Sequence, residues 1–342
     1  MRALVKREDG PGLWLEERPR PQPGPGEVLI RVSMAAICGT DLHIWKWDDW
    51  ARSTVPVGLT VGHEYVGHVA AVGAGVTSVE QGARVSGEGH VACGQCRNCL
   101  SGRAHICAGT RGIGVQLPGA FADYVLVPEA NTRPIPDSVP DEVAAILDPL
   151  GNAVHTALAF DVAGEDVLIT GAGPIGCMAA AVCRHVGAHH VVVTDLNRAR
   201  LGLAVEMGAT RGVCADREDL ADVMLDLGMR EGFDVGLEMA GAERALDALI
   251  EAMITGGRVA LLGLFPGKPR VDLSKAIFKG LDFRGIYGRK MFETWHKMMA
   301  MLESGLDVSP VISHQLDFEA FEDGFDALLS GEANKVVLRL AS

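Results

Sequence analysis

The chain has 342 residues with 48% hydrophobic and 22% charged side chains, a composition that fits a packed globular protein of about two domains and excludes collagen-like and disordered classes. A formal net charge of −13 removes the basic surface that phosphate backbones require, so no nucleic-acid partner is expected. Glycine is abundant at 42 residues while aromatics make up only 5%, which points to many tight turns and close backbone approaches.

The N-terminus, Met1-Arg2-Ala3-Leu4-Val5-Lys6-Arg7-Glu8, meets charge too early for the apolar core of a signal peptide. The best apolar run, Cys177 to Cys183, is far shorter than the roughly 18 residues of a membrane span. A soluble cytoplasmic protein with no membrane partner is therefore expected. Up to residue 150 the chain reads as short strands between Gly and Pro turns: Val28–Val32 after Gly24-Pro25-Gly26, Tyr65–Val72 before Gly73-Ala74-Gly75, and Ala120–Val127. Strands so spaced predict an all-β barrel or sandwich.

Near residue 150 the pattern changes. Strand Asp166–Thr170, helix Ile175–Val186, strand His190–Thr194 and helix Ala199–Met207 are followed by strand Phe233–Glu238, helix Glu243–Ile254 and strands Arg258–Leu262 and Asp282–Tyr287. Alternation of this kind predicts a parallel sheet covered by helices. The last 50 or so residues return to mixed character, with a helix at Phe292–Leu302 and a strand at Lys335–Leu340.

Eight cysteines divide into three groups. Cys93, Cys96, Cys99 and Cys107 form a C-x2-C-x2-C-x7-C cluster. Disulfide frameworks belong to short secreted chains, so this cluster reads as a metal site, and four thiolates make a closed, structural zinc site. Cys177, Cys183 and Cys214 stand among apolar neighbours and read as small buried hydrophobes. Cys38 is different. With His63 and Glu64 it supplies a mixed thiolate, imidazole and carboxylate set, the kind that leaves a zinc ion open to substrate. Asp148 is a second carboxylate for the same set. Thr40 and His43 follow Cys38, and on one helical turn they would share a face as a proton wire; the plainer reading of His43 is a surface histidine among Trp45, Trp47 and Trp50.

Gly171-Ala172-Gly173-Pro174-Ile175-Gly176 follows a strand and opens a helix, and Asp195 ends the next strand. This is the dinucleotide fingerprint: the glycines let the backbone approach a pyrophosphate at the helix N-terminus, and the carboxylate accepts from the ribose hydroxyls. A carboxylate there repels a 2′-phosphate, so NAD is expected over NADP. Arg200 would flank the adenine ribose or serve only as a solvated helix charge. Leu262, Gly263, Leu264, Ile286 and Tyr287 fall at the carboxyl edge of the sheet, where a dinucleotide lies.

These residues resemble the zinc-dependent medium-chain alcohol dehydrogenases. The likeness rests on Ile37-Cys38-Gly39-Thr40-Asp41-Leu42-His43, Gly62-His63-Glu64, the four-cysteine lobe and Gly171–Gly176, and it covers essentially the whole chain. It is narrower in His43–Trp50, Ser86–His90, Asp148–His155 and Arg284–Arg289, strings similar to a branch of the family that acts on L-threonine. The resemblance implies an α/β chain with a GroES-like β-barrel catalytic domain at 1–150, a Rossmann doubly wound parallel-sheet domain at 151–290, and a segment at 291–342 returning to the first. It implies a catalytic zinc on Cys38, His63 and Glu64, a structural zinc on Cys93, Cys96, Cys99 and Cys107, NAD as cofactor, a relay through Thr40 and His43, and a homotetramer. Asp148 stands where many relatives carry Glu, one methylene longer; it is assigned to the relay, with metal ligation as the alternative. Oxidation of L-threonine at its β-hydroxyl is the implied reaction, with a polyol dehydrogenase or a non-catalytic relative as alternatives. His90 and Arg289 are candidates for holding the substrate's charged groups.

Overall fold

A computed structural model describes residues 1–340, and in its first part the 11-residue strand Glu27–Ile37 organises the chain. It pairs antiparallel with Glu64–Val72, with Tyr124–Pro128 at its beginning and with Lys335–Arg339 at its end. Two register shifts, between Leu29 and Ile30 and between Val32 and Met34, bend it as β-bulges do. The resulting seven-stranded sheet closes over Val28, Ile30, Val32, Tyr65, Val69, Phe121 and Phe325. Its inward apolar residues and its glycine turns are the features that predicted an all-β first half.

The second part is a six-stranded, all-parallel sheet. Its order is Arg211–Cys214, His190–Asp195, Asp166–Thr170, Phe233–Glu238, Met253–Leu261, Asp282–Gly285. The order reverses direction between Asp166–Thr170 and Phe233–Glu238, which opens a crevice at the carboxyl ends of those strands. Buried Leu168, Val192, Leu249 and Val259 form its core.

Several expected bounds shift. The Val28–Val32 strand runs on to Ile37, whereas the Ala120–Val127 strand begins only at Tyr124, Ala122 making a single bridge to Ala3. The helix expected through Ile254 stops at Ala252, and the next strand starts at Met253, which pairs with Phe233 before the ladder resumes at Val235 and Arg258. An apolar run such as Leu249–Ile254 suits either element.

Two units divide the chain: Met1–Pro149 with the segment from Ile312 onward, and Leu150–Val311. The return to the first unit thus falls at Ile312 rather than at 291. The helix Glu293–Glu303, with Trp295, Met298 and Met301 buried, belongs to the second unit. Among the described residues no helix is long and apolar enough to cross a membrane.

Candidate active site

The antiparallel register Ala36↔Glu64 carries Cys38 toward His63, because each chain continues one residue or two beyond that pair. Cys38 then caps the helix Gly39–Lys46, and its N–H donates to Oδ2 of Asp41 at 2.9 Å. Donor atoms of Cys38, His63 and Glu64 lie within 4.8 Å of one another. Asp148 is outside that mutually close set, although its Oδ2 stands 3.2 Å from where a Cβ on Gly89 would be, so the missing side chain of Gly89 makes room for it.

Two supporting residues have no counterpart in the sequence reading. Asp41 is fully buried, with Oδ1 3.8 Å from Nδ1 of His63. Lys335 is buried too; its ammonium stands 2.6 Å from Oε2 of Glu64 and donates to the Ile37 carbonyl at 2.9 Å. Asp41 is visible in the string Cys38-Gly39-Thr40-Asp41 but reads there as an ordinary helix-start carboxylate. Lys335 has no local signal, being 298 residues from the carbonyl it caps.

Burial opposes a charge on His63, yet Cys38 and Asp41 outweigh it and raise the imidazole well above its ordinary value. Burial raises Glu64, against the pull of Lys335. Anions packed in a dry pocket draw protons, and a divalent cation satisfies the same anions. Oε1 of Glu64 is buried without a hydrogen bond among the described residues. A thiolate, an imidazole and a carboxylate with such an unsatisfied oxygen fit a zinc ion with one position left open.

Thr40 is half-buried and His43 exposed, three residues apart on the Gly39–Lys46 helix. The helix that was a condition of the wire is present. Nδ1 of His43 meets Oδ2 of Asp48, the residue that caps the next helix, and Trp50 meets the imidazole edge-on at 6.0 Å. Asp48 is a further partner that the sequence reading passed over. His90 bonds the buried Glu88 through Nδ1 at 3.0 Å, and Asn131 donates to the carbonyls of both, fixing their turn.

In the cysteine lobe, Sγ of Cys96 lies 3.6 Å from Cys99 and 3.8 Å from Cys107. Zinc–sulfur bonds of about 2.3 Å make a tetrahedron with edges of about 3.8 Å, so the four thiols fit one ion. The backbone N–H of Cys99 is the chief cause that lowers Cys96 to about 6, and that of Cys93 lowers Cys107. Burial pushes Cys99 up to about 12.

In the second unit Gly171 has φ +94°, and a Cβ on Gly176 would lie 1.9 Å from the Gly171 carbonyl oxygen, so both positions demand glycine. The helix Pro174–His185 starts with Pro in its first turn, where a missing N–H is harmless. Asp195 accepts from Ala172 N–H at 2.7 Å and from Asn197 N–H at 2.8 Å, which aims its remaining lone pairs outward. Nε of Arg200 is buried and without a hydrogen bond among the described residues. Gly171 and Asp195 line a cleft of about 1150 Å³ together with Thr194 and Ala240. Across the crevice, Leu262 and Gly263 hang from the Glu238 carbonyl and Ile286 from that of Leu261, leaving Leu264 and Tyr287 exposed. Glu238, also missed from the sequence, is buried there with Oε1 on the N–H groups of Ala240 and Gly241. Arg289 is buried with its stem across Gly151 and donates to Asn152 Oδ1 at 3.2 Å, while His155 Nδ1 bonds the Gly288 carbonyl at 2.8 Å. Two strings distant in sequence thus pack together.

The chain is similar to known proteins in sequence and fold. Residues 24–137 match the alcohol dehydrogenase GroES-like domain, and residues 174–304 match the zinc-binding dehydrogenase family. An alcohol dehydrogenase from Escherichia coli CFT073, solved with NADH, superposes with a TM-score of 0.91 at 26% identity over 99% of both chains. The chain belongs to the zinc-dependent medium-chain alcohol dehydrogenases, enzymes that pair a zinc site with a nicotinamide cofactor. Within that family it is similar to L-threonine 3-dehydrogenases: 59% identical over 339 residues to the one from Anaeromyxobacter sp. Fw109-5 and 56% over 338 residues to that of Idiomarina loihiensis, covering 99% of each chain.

Proposed function

We propose that this chain oxidises L-threonine at its β-hydroxyl to L-2-amino-3-oxobutanoate and passes the hydride to NAD. The observation that carries the reading is the Cys38, His63 and Glu64 set, braced by Asp41 and Lys335. Cys38, His63 and Glu64 would hold a catalytic zinc, and Cys93, Cys96, Cys99 and Cys107 a structural one, two ions per subunit. When bound, the catalytic ion supplies Lewis acidity, which makes a nearby hydroxyl more acidic.

The protein's own groups manage the proton. Oxidation of the secondary alcohol removes a hydride from the β-carbon and a proton from the oxygen. Thr40 accepts that proton and hands on its own to His43, whose ring Asp48 orients at the solvent-facing end. Asp148, which is outside the close ligand set, holds the polar end of the same relay. Gly171, Gly173, Ile175 and Gly176 cradle the pyrophosphate, Asp195 and Arg200 hold the adenosine ribose, and Leu262, Gly263, Leu264, Ile286 and Tyr287 carry the rest of the dinucleotide.

A homotetramer is the assembly this reading carries. The short helix Leu273–Phe278 exposes Leu273, Ile277 and Phe278, and Asp282–Gly285 is an edge strand of the sheet; apolar surface and open edges of this kind call for cover by another copy. The cytoplasm suits a chain whose eight cysteines are all free thiols.

Absorbance in the NADH band, with L-threonine set against sorbitol, tests the reaction. A threonine-dependent signal is expected. Turnover of sorbitol alone overturns the reading in favour of a polyol dehydrogenase, and silence with both in zinc-loaded protein leaves a non-catalytic relative.

A further inference from the structure

We propose that Asp166, His189 and His190 form a third metal site, one that takes a borderline divalent cation such as Zn²⁺ or Ni²⁺. Strands of a parallel sheet share one direction. Their carboxyl ends gather Gly171 and Asp195, and their amino ends gather Asp166 and His190, which are direct cross-strand partners. Successive residues of a strand face opposite sides, but His189 precedes its strand and turns back, so that the two imidazole centroids lie 3.9 Å apart with planes tilted by 53°.

Both rings address one atom. Nδ1 of His189 lies 2.9 Å and Nδ1 of His190 2.8 Å from Oδ1 of Asp166. The three donor atoms lie within 4.8 Å of one another. Ligands bonded to tetrahedral zinc at about 2.0–2.1 Å are about 3.4 Å apart, so each contact needs to open by only about half an ångström to admit an ion. A neutral imidazole frees its Nδ1 lone pair by moving its proton to Nε2, so the exchange releases no proton.

The surroundings favour a cation. Asp234 accepts the Asp166 N–H through Oδ2 at 2.8 Å and adds a second carboxylate, while the neighbouring Glu165 is paired with Arg258 at 3.0 Å. Asp166 and His190 keep 19% and 18% of their side chains exposed and His189 62%, enough for an ion to enter and to retain water as its remaining ligand. Two imidazoles and one carboxylate select Zn²⁺, Ni²⁺ or Cu²⁺ over Mg²⁺ or Ca²⁺. Neither the Cys38 set nor the cysteine lobe contributes a residue. A bound ion would fix the register of the two strands whose far ends carry the glycine turn and Asp195.

The test is a zinc titration of the holoenzyme, already carrying its resident zinc, by competition with a chromophoric chelator, with Ni²⁺ and Mg²⁺ in parallel. One further equivalent of Zn²⁺ or Ni²⁺ per chain, none of Mg²⁺ and a rise in melting temperature are expected. His189→Asn and Asp166→Asn should each weaken that uptake at least tenfold and leave NAD-dependent turnover unchanged. Equal uptake by wild type and both variants overturns the proposal, as does no further equivalent in the wild type. His189 is exposed, so its variant should fold. Should either variant misfold, the copper(II) spectrum of the wild type decides: coupling to two nitrogens supports the site, and its absence overturns it.

Discussion

The ammonium of Lys335 stands 2.6 Å from Oε2 of Glu64, and both side chains are buried. This pair joins the last strand of the chain to the edge of the proposed zinc set. Burial alone would lower Lys335; Glu64, Cys38 and Asp41 outweigh it and raise the ammonium above its ordinary value. The charge is thus held by its neighbours. Lys335→Met leaves Glu64 without its counter-ion and the Ile37 carbonyl without its donor. Removing one partner of a buried pair destabilises by on the order of 3 kcal/mol. A lowered melting temperature with loss of zinc from the Cys38 set is expected, read by calorimetry and metal analysis. A variant with normal zinc content and normal melting would show that Lys335 is a bystander.

The relay has a narrower signature. Thr40→Val and His43→Asn remove neither a ligand nor a dinucleotide contact, so zinc content and NAD binding should stay as in the wild type. Turnover should fall roughly 10²–10⁴-fold, the usual contribution of general acid–base catalysis. Thr40→Ser keeps the hydroxyl and should be mild. Asp48→Asn, which weakens the orientation of His43, should fall between. Near-normal turnover in both Thr40→Val and His43→Asn would remove the relay from the mechanism.

How far the sequence carries is visible at these same residues. Cys38, His63 and Glu64 were legible through the strings Ile37–His43 and Gly62-His63-Glu64, which resemble those of the family and supply a mixed thiolate, imidazole and carboxylate set. Lys335, Asp41 and Asp48 were not, because each is a generic charge until tertiary structure supplies its partner. The parallel sheet was legible too: strands Asp166–Thr170 and Phe233–Glu238 have the expected bounds, the first as the short apolar run Val167-Leu168-Ile169 before a glycine turn, the second as Phe233, Val235 and Leu237 at alternate positions. The helix Leu147–Ala157 was hidden by Pro149, Gly151 and Asn152, all poor helix formers. Pro149 is tolerated because it falls in the first turn. Gly151 has a packing reason, since a Cβ there would lie 2.2 Å from Cδ of Arg289.

Cofactor choice should follow Asp195. Its two oxygens accept from Ala172 and Asn197, so the carboxylate is held rigidly where the adenosine ribose is proposed to bind. Asp195→Ala removes the acceptor for the ribose diol and the repulsion of a 2′-phosphate together. NAD should bind more weakly, and the NADP to NAD preference should rise by at least tenfold, about 1.4 kcal/mol. The ratio of kcat/KM for the two cofactors measures it. A wild-type preference for NADP would contradict the role given to this carboxylate.

Stability should depend on pH through Lys6. Its ammonium is buried, donates to the carbonyls of Gly10, Gly12 and Ile44, and lies 4.2 Å from the centre of the Trp47 ring. Burial pushes it down to about 8, against the opposing pull of Glu8 and Asp9. An unfolded lysine titrates near 10.4, so between about pH 8 and pH 10 the unfolded chain holds more protons than the folded one. Stability from this group therefore rises with pH across that window, by at most about 1.4 kcal/mol per unit, and is flat below it. Other groups also gain or lose protons on unfolding, so the quantity to read is a difference. Urea unfolding of wild type and Lys6→Met at pH 7, 8 and 9.5 gives it. The stability difference should move in favour of the wild type between pH 8 and 9.5 and stay constant between pH 7 and 8 to within a few tenths of a kcal/mol. A difference that does not change with pH would mean that Lys6 keeps an ordinary lysine's proton affinity despite its burial, and one that moves toward the variant as pH rises would mean that folding strengthens its hold on the proton; either outcome contradicts the prediction.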